Sequence, residues 1–366
     1  MKKLIWTLVI LVVVGVFGGR AWWLYQHRET DTNVVKIGVL LPLSGPPARD
    51  GQDCLTGIKA AEKNINANPN NPFKIKLQIE DTKYTESGSL SAYNRTSDCD
   101  AYLIMGEVPV KTLSPRIEED KKPVISLVVI NDTPTITNPY IFRGWFSLDK
   151  LAQTLAQKVK KVAKDKEVAL FKIKTFEGDH ITKLLTKELE KENIQPSIIE
   201  TFPMMATETR SQVAKIMNKK PKVVVVWGYI QGFYAALNSL LEARYDGMII
   251  GTVDLPINYA QVANNAAGIY FTTLEHSFDK IPEFEKGQKP NLYTAFSYEG
   301  LQLLAQAIRT HGGKPEQIRQ GLLNIKDFET VFGPVSYQPN GEMVLPDFSL
   351  GLMKADGTYD ILEERE

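Results

Sequence analysis

The sequence predicts an α/β protein made of two doubly wound, Rossmann-like lobes with parallel central sheets. Short apolar runs rich in β-branched residues recur along the chain, as expected of parallel strands buried on both faces. Amphipathic stretches of helical period separate these runs, which is the pattern of parallel βαβ units. The alternation occurs twice, roughly over 34–143 and 151–251, and a chain of 366 residues is long enough for two domains.

The first unit opens with Val34–Leu41, a nearly continuous apolar run that predicts a buried parallel strand. A turn dense in Pro and Gly follows at 42–47, and Leu55, Ile58 and Ile65 then recur at helical spacing. The turn lies at the carboxyl end of the strand, where open α/β sheets bind ligands. The following helix N-terminus favours an anionic or strongly polar ligand group.

The later elements follow from the same two patterns. Further strands of the first unit are predicted at Phe73–Ile79, Ala101–Met105 and Val124–Val129, with helices at Ser87–Thr96 and Lys111–Glu119. Strands of the second unit are predicted at Val168–Ile173, Ile198–Phe202, Val223–Trp227 and Met248–Ile250, separated by amphipathic segments. The last third predicts helices at Tyr293–Ile308 and Pro315–Leu323, and then strand-like segments at Phe332–Tyr337 and Phe348–Met353 with Asn-Gly and Asp-Gly turns.

The N-terminus carries an export or membrane signal. Lys2 and Lys3 precede an apolar run that continues to Tyr25 if Arg20 snorkels, with Trp22 and Trp23 near its end. This pattern fits a signal peptide or a signal anchor, and the poor cleavage site around Arg20 favours an anchor. We expect residues 4–25 to hold the chain in the cytoplasmic membrane, as part of a segment 1–33, with the remainder periplasmic or at the cell surface.

Composition argues against several functional classes. Lys plus Arg equals Asp plus Glu at 43 each, so no overall charge favours nucleic acid, and no nucleic-acid partner is expected. The two cysteines, Cys54 and Cys99, are predicted at opposite ends of a sheet, which disfavours a disulfide. The four histidines lack ligand or catalytic spacing, so we expect no metal, no cofactor and no enzymatic activity.

Three segments resemble one known family. The opening segment IGVLLPLSGPPARDGQDCLTGIKAAEKNIN resembles the first strand, loop and helix of type I periplasmic solute-binding proteins, in the leucine/isoleucine/valine and amide class. NLYTAFSYEGLQLLAQAI resembles the last long helix of that family, and FGPVSYQPNGEMVLPDFSLGLMKADG resembles its terminal block. The resemblance extends over about 34–359 of this chain.

The resemblance implies two lobes joined by three hinge crossings, near Ser147, Pro256 and Val335. Lobe 1 would comprise 34–147 and 256–334, and lobe 2 would comprise 148–255 and 335–366. Such proteins close on a small-molecule ligand, and the closed form is recognised by an ABC permease. An alternative is a membrane-tethered sensor or accessory protein that signals to a partner and feeds no transporter.

The resemblance also implies which residues face the ligand. Val110 replaces a hydroxyl residue that holds the ligand carboxylate in relatives, and the loop after the fourth strand likewise lacks the usual small residues and Thr. These changes argue against ordinary α-amino acid recognition, because each lost hydrogen bond to a charged group weakens binding by roughly 1.5–3 kcal/mol. Tyr229 is the strongest candidate contact, and Asp254 is expected to bind a ligand ammonium. The full set of expected contacts is Ser44, Asp50, Glu107, Val110, Ser126, Val128, Phe176, Tyr229, Asp254 and Tyr293.

Several of these residues also have a purely structural interpretation. Ser44 and Gly45 are also compatible with a role in forming the turn, and Glu107 and Asp254 are compatible with helix capping or a solvated surface. By aromatic statistics, Tyr229, Phe176 and Tyr293 would more often lie in a core than in a pocket. Arg143 is expected to pair with a carboxylate at the edge between the lobes.

Overall fold

The structure, a computed structural model, describes residues 33–129, 138–262, 266–275, 281 and 290–362. The expected membrane anchor or signal segment, residues 4–25, lies outside the described residues. Within the described part of the chain, no helix is both long enough and apolar enough to cross a membrane.

Strands and helices alternate along most of the described chain. The strands are β1 (Asn33–Leu41), β2 (Phe73–Asp81), β3 (Ala101–Met105), β4 (Val124–Leu127), β5 (Ile141–Arg143), β6 (Val168–Ile173), β7 (Ile198–Phe202), β8 (Val223–Trp227), β9 (Met248–Gly251), β10 (Tyr270–Leu274), β11 (Phe328–Thr330), β12 (Gly333–Tyr337), β13 (Met343–Val344), β14 (Phe348–Met353) and β15 (Tyr359–Leu362). The helices are α1 (Ala48–Ala67), α2 (Glu86–Arg95), α3 (Glu107–Asp120), α4 (Leu148–Val162), α5 (Phe176–Lys191), α6 (Arg210–Asn218), α7 (Ile230–Glu242), α8 (Leu292–His311) and α9 (Pro315–Leu323), with a 3-10 helix at Leu255–Gln261.

The first lobe is organised around a parallel sheet of order β2-β1-β3-β4-β5. Strand β1 lies inside this sheet, and its apolar side chains on both faces, such as Ile37 and Leu40, are buried. A strand covered on both faces needs continuous apolar sequence, which explains why the alternating pattern of a half-exposed strand is absent here.

The second lobe has a sheet of order β15-β14-β10-β9-β8-β6-β7. Strands β6 to β10 run parallel, whereas β14 and β15 pair antiparallel at one edge. The valine run of β8 is fully enclosed between β6 and β9. The predicted fold class, two α/β lobes with parallel central sheets, is confirmed.

The first lobe is completed by a late part of the chain. Helix α8 packs against α1, and Gly57 of α1 allows close approach: a Cβ built there would lie 2.0 Å from the Thr294 carbonyl oxygen. Side chains also join the two helices, since Gln302 Nε2 donates to Asn64 Oδ1 at 2.9 Å. The lobe is therefore discontinuous in sequence.

One part of the predicted domain division differs from the structure. The resemblance implies that 256–334 belong to lobe 1, but β10 pairs in parallel with β9 in the second sheet. The chain passes from β9 to β10 through a 3-10 helix, so the α-helical period that marks the other units is missing. The chain returns to the first lobe between Leu274 and Leu292, because α8 packs on α1. The crossings near Ser147 and Val335 stay predictions.

A buried ion pair ties the end of β5 to the β12–β13 hairpin. Arg143 is fully buried, and its Nε and Nη2 donate to Oε2 and Oε1 of Glu342 at 2.6 and 3.0 Å. The Tyr337 hydroxyl donates to the Arg143 carbonyl oxygen at 2.8 Å. The prediction that Arg143 pairs with a carboxylate is confirmed. Cys54 and Cys99 are buried and free of any disulfide, also as predicted.

Candidate functional site

Side chains from both lobes meet where the carboxyl ends of their strands face each other. Tyr84 follows β2 in the first lobe, whereas Glu177 lies in the first turn of α5 and Tyr229 follows β8 in the second. Burial, and then the charges of Glu107, Glu177 and Tyr229, raise the pKa of Tyr84 to about 12. We call this region, between the carboxyl edges of the two sheets, the interlobe site.

A hydrogen bond between Tyr293 and Asp254 crosses from one lobe to the other. Tyr293 lies in the first turn of α8, and its hydroxyl donates to Asp254 Oδ1 at 3.0 Å. Asp254 follows β9, where the Tyr234 hydroxyl donates to its backbone carbonyl at 2.9 Å. The Thr252 hydroxyl lies 3.3 Å from Asp254 Oδ2. These contacts place the Asp254 carboxyl group against the first lobe.

Asp50 brings a second carboxylate to Asp254 from the opposite lobe. It lies in the first turn of α1, and in the described part of the chain its carboxylate accepts no hydrogen bond. Burial, and then the charge of Asp53, raise the pKa of Asp50 to about 6, while Arg49 acts in the opposite direction. Burial, and then the charge of Asp50, raise the pKa of Asp254 to about 7. Both acids thus titrate near neutral pH.

Tyr229 and Glu177 form a polar pair in the second lobe. The Tyr229 hydroxyl lies near the Glu177 carboxylate and the Thr175 hydroxyl, and both side chains act on its pKa. Thr175 also caps α5, since its side chain accepts from the Gly178 N–H. Burial, and then the charge of Glu177, raise the pKa of Tyr229 to about 12. Tyr229 is also close enough to Asp254 for that charge to raise its pKa, so one continuous polar surface connects the two pairs.

Glycine at the start of α3 makes room for Tyr84. Gly106 has φ +93°, and a Cβ built on it would lie 2.4 Å from the Tyr84 ring. The φ value alone favours glycine, because L-residues clash in that region. Tyr84 itself follows Lys83, and both have left-handed backbones with φ near +54° and +53°. The half-buried ring is therefore fixed by a tight, unusual turn.

Asp81 holds the turn between β1 and α1. Its Oδ1 accepts from the backbone N–H groups of Leu43 and Lys83 at 2.9 and 2.8 Å, and its Oδ2 accepts from the Ser44 hydroxyl at 2.6 Å. The pKa of Asp81 is lowered by these hydrogen bonds, that of Ser44 foremost, which outweigh its burial. Ser44 thus uses its hydroxyl within the turn, in agreement with the structural interpretation of that residue.

The structure brings together five of the ten predicted contacts and separates others. Those that meet at the interlobe site are Asp50, Glu107, Tyr229, Asp254 and Tyr293. Val110 and Ser126 are buried inside the first lobe, and the Ser126 hydroxyl donates to the Phe142 carbonyl at 3.1 Å. These two side chains offer no surface to a ligand, because helix and sheet packing encloses them. We therefore remove them from the candidate site.

Val128 and Phe176 lie at strand ends with unusual features. Val128, just after β4, has φ +53°, a strained conformation for a β-branched residue. Its side chain is half-buried against the core. Phe176 begins α5 with 66% of its side chain exposed, and its ring stacks over His180 with centroids 6.1 Å apart. Strain and an exposed aromatic side chain are both common at ligand sites, so these two stay predictions.

Sequence reasoning missed Tyr84, Gly106 and Glu177. A signal existed for Tyr84 and Glu177, since each follows a predicted strand on its carboxyl side, where ligands bind in open sheets. Tyr84 and Glu177 are near each other only because of how the two lobes are placed, and local sequence patterns carry no information on that placement. Within the described ranges, no group of three or more His, Cys, Asp or Glu side chains is arranged to hold a metal ion.

Comparison with known proteins identifies the family. The family described as periplasmic binding protein matches residues 34–358. The chain belongs to the periplasmic binding protein family. A Leu/Ile/Val-binding protein homolog 1 from Brucella abortus (strain 2308) is 24% identical over 389 aligned positions, covering 100% of both chains.

Solved structures share the periplasmic binding protein fold. The leucine-binding protein LivK from Thermotoga maritima has a TM-score of 0.76 and 19% identity, over 90% of this chain and 98% of that one. LivJ from Streptococcus pneumoniae, solved in complex with isoleucine, has a TM-score of 0.76 and 20% identity, over 90% and 99%. Further relatives are named as Leu/Ile/Val-binding or amino acid binding proteins.

Proposed function

We propose that this periplasmic binding protein is an extracytoplasmic receptor that closes its two lobes on a small polar organic solute, amino-acid-like or amide-like, for an ABC importer. The observation that carries the proposal is the hydrogen bond from Tyr293 to Asp254, which joins the lobes inside the interlobe site. Its surroundings supply carboxylates and tyrosines from both sides. We assign no catalytic role to them.

The physical basis is differential binding to two conformations. A solute that contacts Asp50 and Tyr293 on one lobe and Tyr229 and Asp254 on the other gains all its contacts only when the lobes are close together. Such a solute shifts the open–closed equilibrium by its difference in affinity for the two states. A permease that recognises the closed form then receives only loaded receptor.

We propose further that residues 4–25 keep the chain in the cytoplasmic membrane after export. The apolar run with Trp22, Trp23 and Tyr25 near its end supports this assignment. The same feature favours the second candidate function, a membrane-tethered sensor that responds to a solute without feeding a transporter. Transport of labelled solute into vesicles that contain a permease and an ATPase encoded beside the gene for this protein would distinguish the importer from the sensor.

The receptor function is tested by a thermal-shift screen of amino acids, amides, amines, aromatic acids and small peptides. A solute present at a hundred times its Kd adds about 2.7 kcal/mol to the free energy of unfolding. We expect Tyr229→Ala and Asp254→Ala to abolish the shift while each variant remains folded. Asp98→Asn, which removes an exposed carboxylate before β3 at the opposite end of the sheet, serves as the control and should keep the shift. A flat response across the whole screen would overturn the receptor function.

A further inference from the structure

The ionisable groups of the interlobe site are predominantly acidic. Asp50 and Glu107 come from the first lobe, and Glu177 and Asp254 come from the second. The four acids act by their charge on the tyrosines of the site, and Tyr229 and Cys54 act in the same direction on Tyr84 and Tyr293, respectively. Among the described basic groups, Arg49 acts on Asp50 from the neighbouring position in α1. A ligand that enters between the lobes therefore meets negative charge from both sides.

Hydrogen-bond donors at the site are already directed at acceptors of the protein. The Tyr293 hydroxyl donates to Asp254, and the Tyr229 hydroxyl lies beside the Glu177 carboxylate. The Ser44 hydroxyl donates to Asp81 in the turn between β1 and α1. A ligand carboxylate would thus have to compete with protein carboxylates for these donors, and like charges in a partly buried site repel strongly.

The tyrosine rings of the interlobe site favour a positively charged ligand group. Tyr84 in the first lobe and Tyr229 in the second are half-buried, and they are close enough that Tyr229 raises the pKa of Tyr84. The faces of aromatic rings attract organic cations, most strongly where water is displaced. Because no described trio of acids is arranged for a metal ion, the positive charge best suited to the site is that of an amine.

An independent observation points to a neutral acceptor beside that amine. Trp145 is 2% exposed, and its indole N–H has no hydrogen-bond partner among the described residues. Its ring packs against Tyr293, with centroids 5.4 Å apart, and Tyr293 in turn contacts Asp254. A buried N–H without an acceptor is costly, so a ligand oxygen that reached the Trp145 N–H would stabilise the complex.

We infer that the solute of this receptor is a primary amine whose carboxyl function is absent or blocked as an amide, and that Asp50 and Asp254 bind its ammonium group. The amide oxygen supplies a neutral acceptor, and the missing carboxylate removes the repulsion from the acids. This inference rests on the proposed function and narrows its solute class. It differs from recognition of a zwitterionic amino acid, in which a carboxylate must also be bound.

Leucine and leucinamide test the inference, since they share a side chain and an α-ammonium group and differ only at the carboxyl function. We expect leucinamide to bind the full-length protein about a hundredfold more tightly than leucine, measured by titration calorimetry. 3-Methylbutylamine, which lacks the carboxyl function entirely, should also bind more tightly than leucine. Leucine binding as tightly as leucinamide would overturn the inference.

Variants assign the binding groups. Asp254→Asn should weaken leucinamide binding about tenfold or more without lowering the melting temperature, and Asp98→Asn should leave the affinity unchanged. Trp145→Phe keeps an aromatic side chain, although a smaller one, and removes the indole N–H, so it should weaken leucinamide binding more than binding of 3-methylbutylamine. If an aromatic acid or an amino acid in the wider screen binds while amines and amides do not, the solute class is wrong and the receptor function stands. If no solute binds, the receptor function itself is wrong.

Discussion

The hydroxyl of Tyr293 donates to Oδ1 of Asp254 at 3.0 Å, although the two residues belong to different lobes. Tyr293 is carried by α8, which packs on α1, whereas Asp254 follows a strand of the second sheet. Asp50 approaches the same carboxyl group from α1 and raises its pKa. The Asp254 carboxyl group is therefore sensitive to the relative position of the lobes, through Tyr293, and to the ionisation of Asp50.

Asp254 should make the stability of the protein depend on pH. Its pKa is about 7 in the folded state, above the usual aspartate value of 3.8, so between these values the folded protein holds more protons than the unfolded chain. Stability from this group is complete below about pH 4 and is lost as pH rises through 7. Asp254→Asn should therefore gain stability relative to the parent on going from pH 5 to pH 8, on the order of 2 kcal/mol.

Urea unfolding at pH 5, 6, 7 and 8 measures this difference. Asp98→Asn is the control, because Asp98 has a lowered pKa and titrates below this range. If the free energies of unfolding of the parent and Asp254→Asn changed equally with pH, the pKa of the Asp254 carboxyl group would not be raised.

Glu299 should contribute a second pH dependence, away from the interlobe site. It is 6% exposed within α8, and burial raises its pKa to about 7, although the Val331 N–H donates to its Oε1 at 2.9 Å. Folding raises the pKa of Glu299, as it does for Asp254, so the stability that this group contributes is lost as pH rises through 7. Glu299→Gln keeps an acceptor for Val331 and removes the buried charge, and we expect it to match the parent at pH 5 and exceed it at pH 8.

The same unfolding series tests this variant, with ligand binding as a second measurement. Solute affinity should stay unchanged in Glu299→Gln, because the residue contacts Val331 rather than the site. A loss of stability at every pH would mean that the hydrogen bond needs the carboxylate.

Gly106→Ala should damage the site more than it damages the fold. The added Cβ would lie 2.4 Å from the Tyr84 ring, so the ring must move out of the interlobe site. Gly268→Ala is a matched control, since Gly268 has a similar positive φ of +82° and no atom within 4 Å of a built Cβ. Both variants should lose about 1 kcal/mol of stability from the backbone conformation alone.

Solute binding separates these two glycine variants. We expect Gly106→Ala to lose affinity at least tenfold, and Gly268→Ala to bind as the parent does. Equal affinity in both variants would remove Tyr84 from the site.

Glu342→Ala should be among the most destabilising single changes in the protein. It leaves the fully buried guanidinium of Arg143 without its bidentate carboxylate, which costs about 3–5 kcal/mol. The exposed pair of Lys36 and Asp98 provides the contrast, and Asp98→Ala should change stability far less. Chemical denaturation of both variants at neutral pH makes the comparison, and similar losses would contradict the importance of burial.

Much of the fold was predictable because its signals are local. The apolar runs of β1, β6 and β8 are buried on both faces, as their composition requires, and the glycine-containing turns fall where predicted. The strand β10 was missed because a 3-10 helix replaces the amphipathic helix that normally announces a parallel strand. A parallel strand is difficult to predict from the sequence when the segment before it is not an amphipathic α-helix.

The interlobe site was predictable only in part. Tyr229 and Asp254 follow strands on their carboxyl side, and that position in the sequence is sufficient to predict them at the edge where the two sheets face each other. Val110 was assigned by resemblance to relatives, but α3 turns it into the core of the first lobe. The approach of Tyr84 to Glu177 depends on how two lobes are oriented, which is a tertiary property without a local pattern.

The packing of α8 on α1 also sets an order of events during synthesis. Helix α1 is made early, yet its partner, Leu292–His311, leaves the ribosome only when most of the chain has been translated. The N-terminal lobe therefore stays incomplete until late, because domains fold as units. A protein that must be threaded through a translocation channel benefits from this delay, since a premature compact lobe would block its passage.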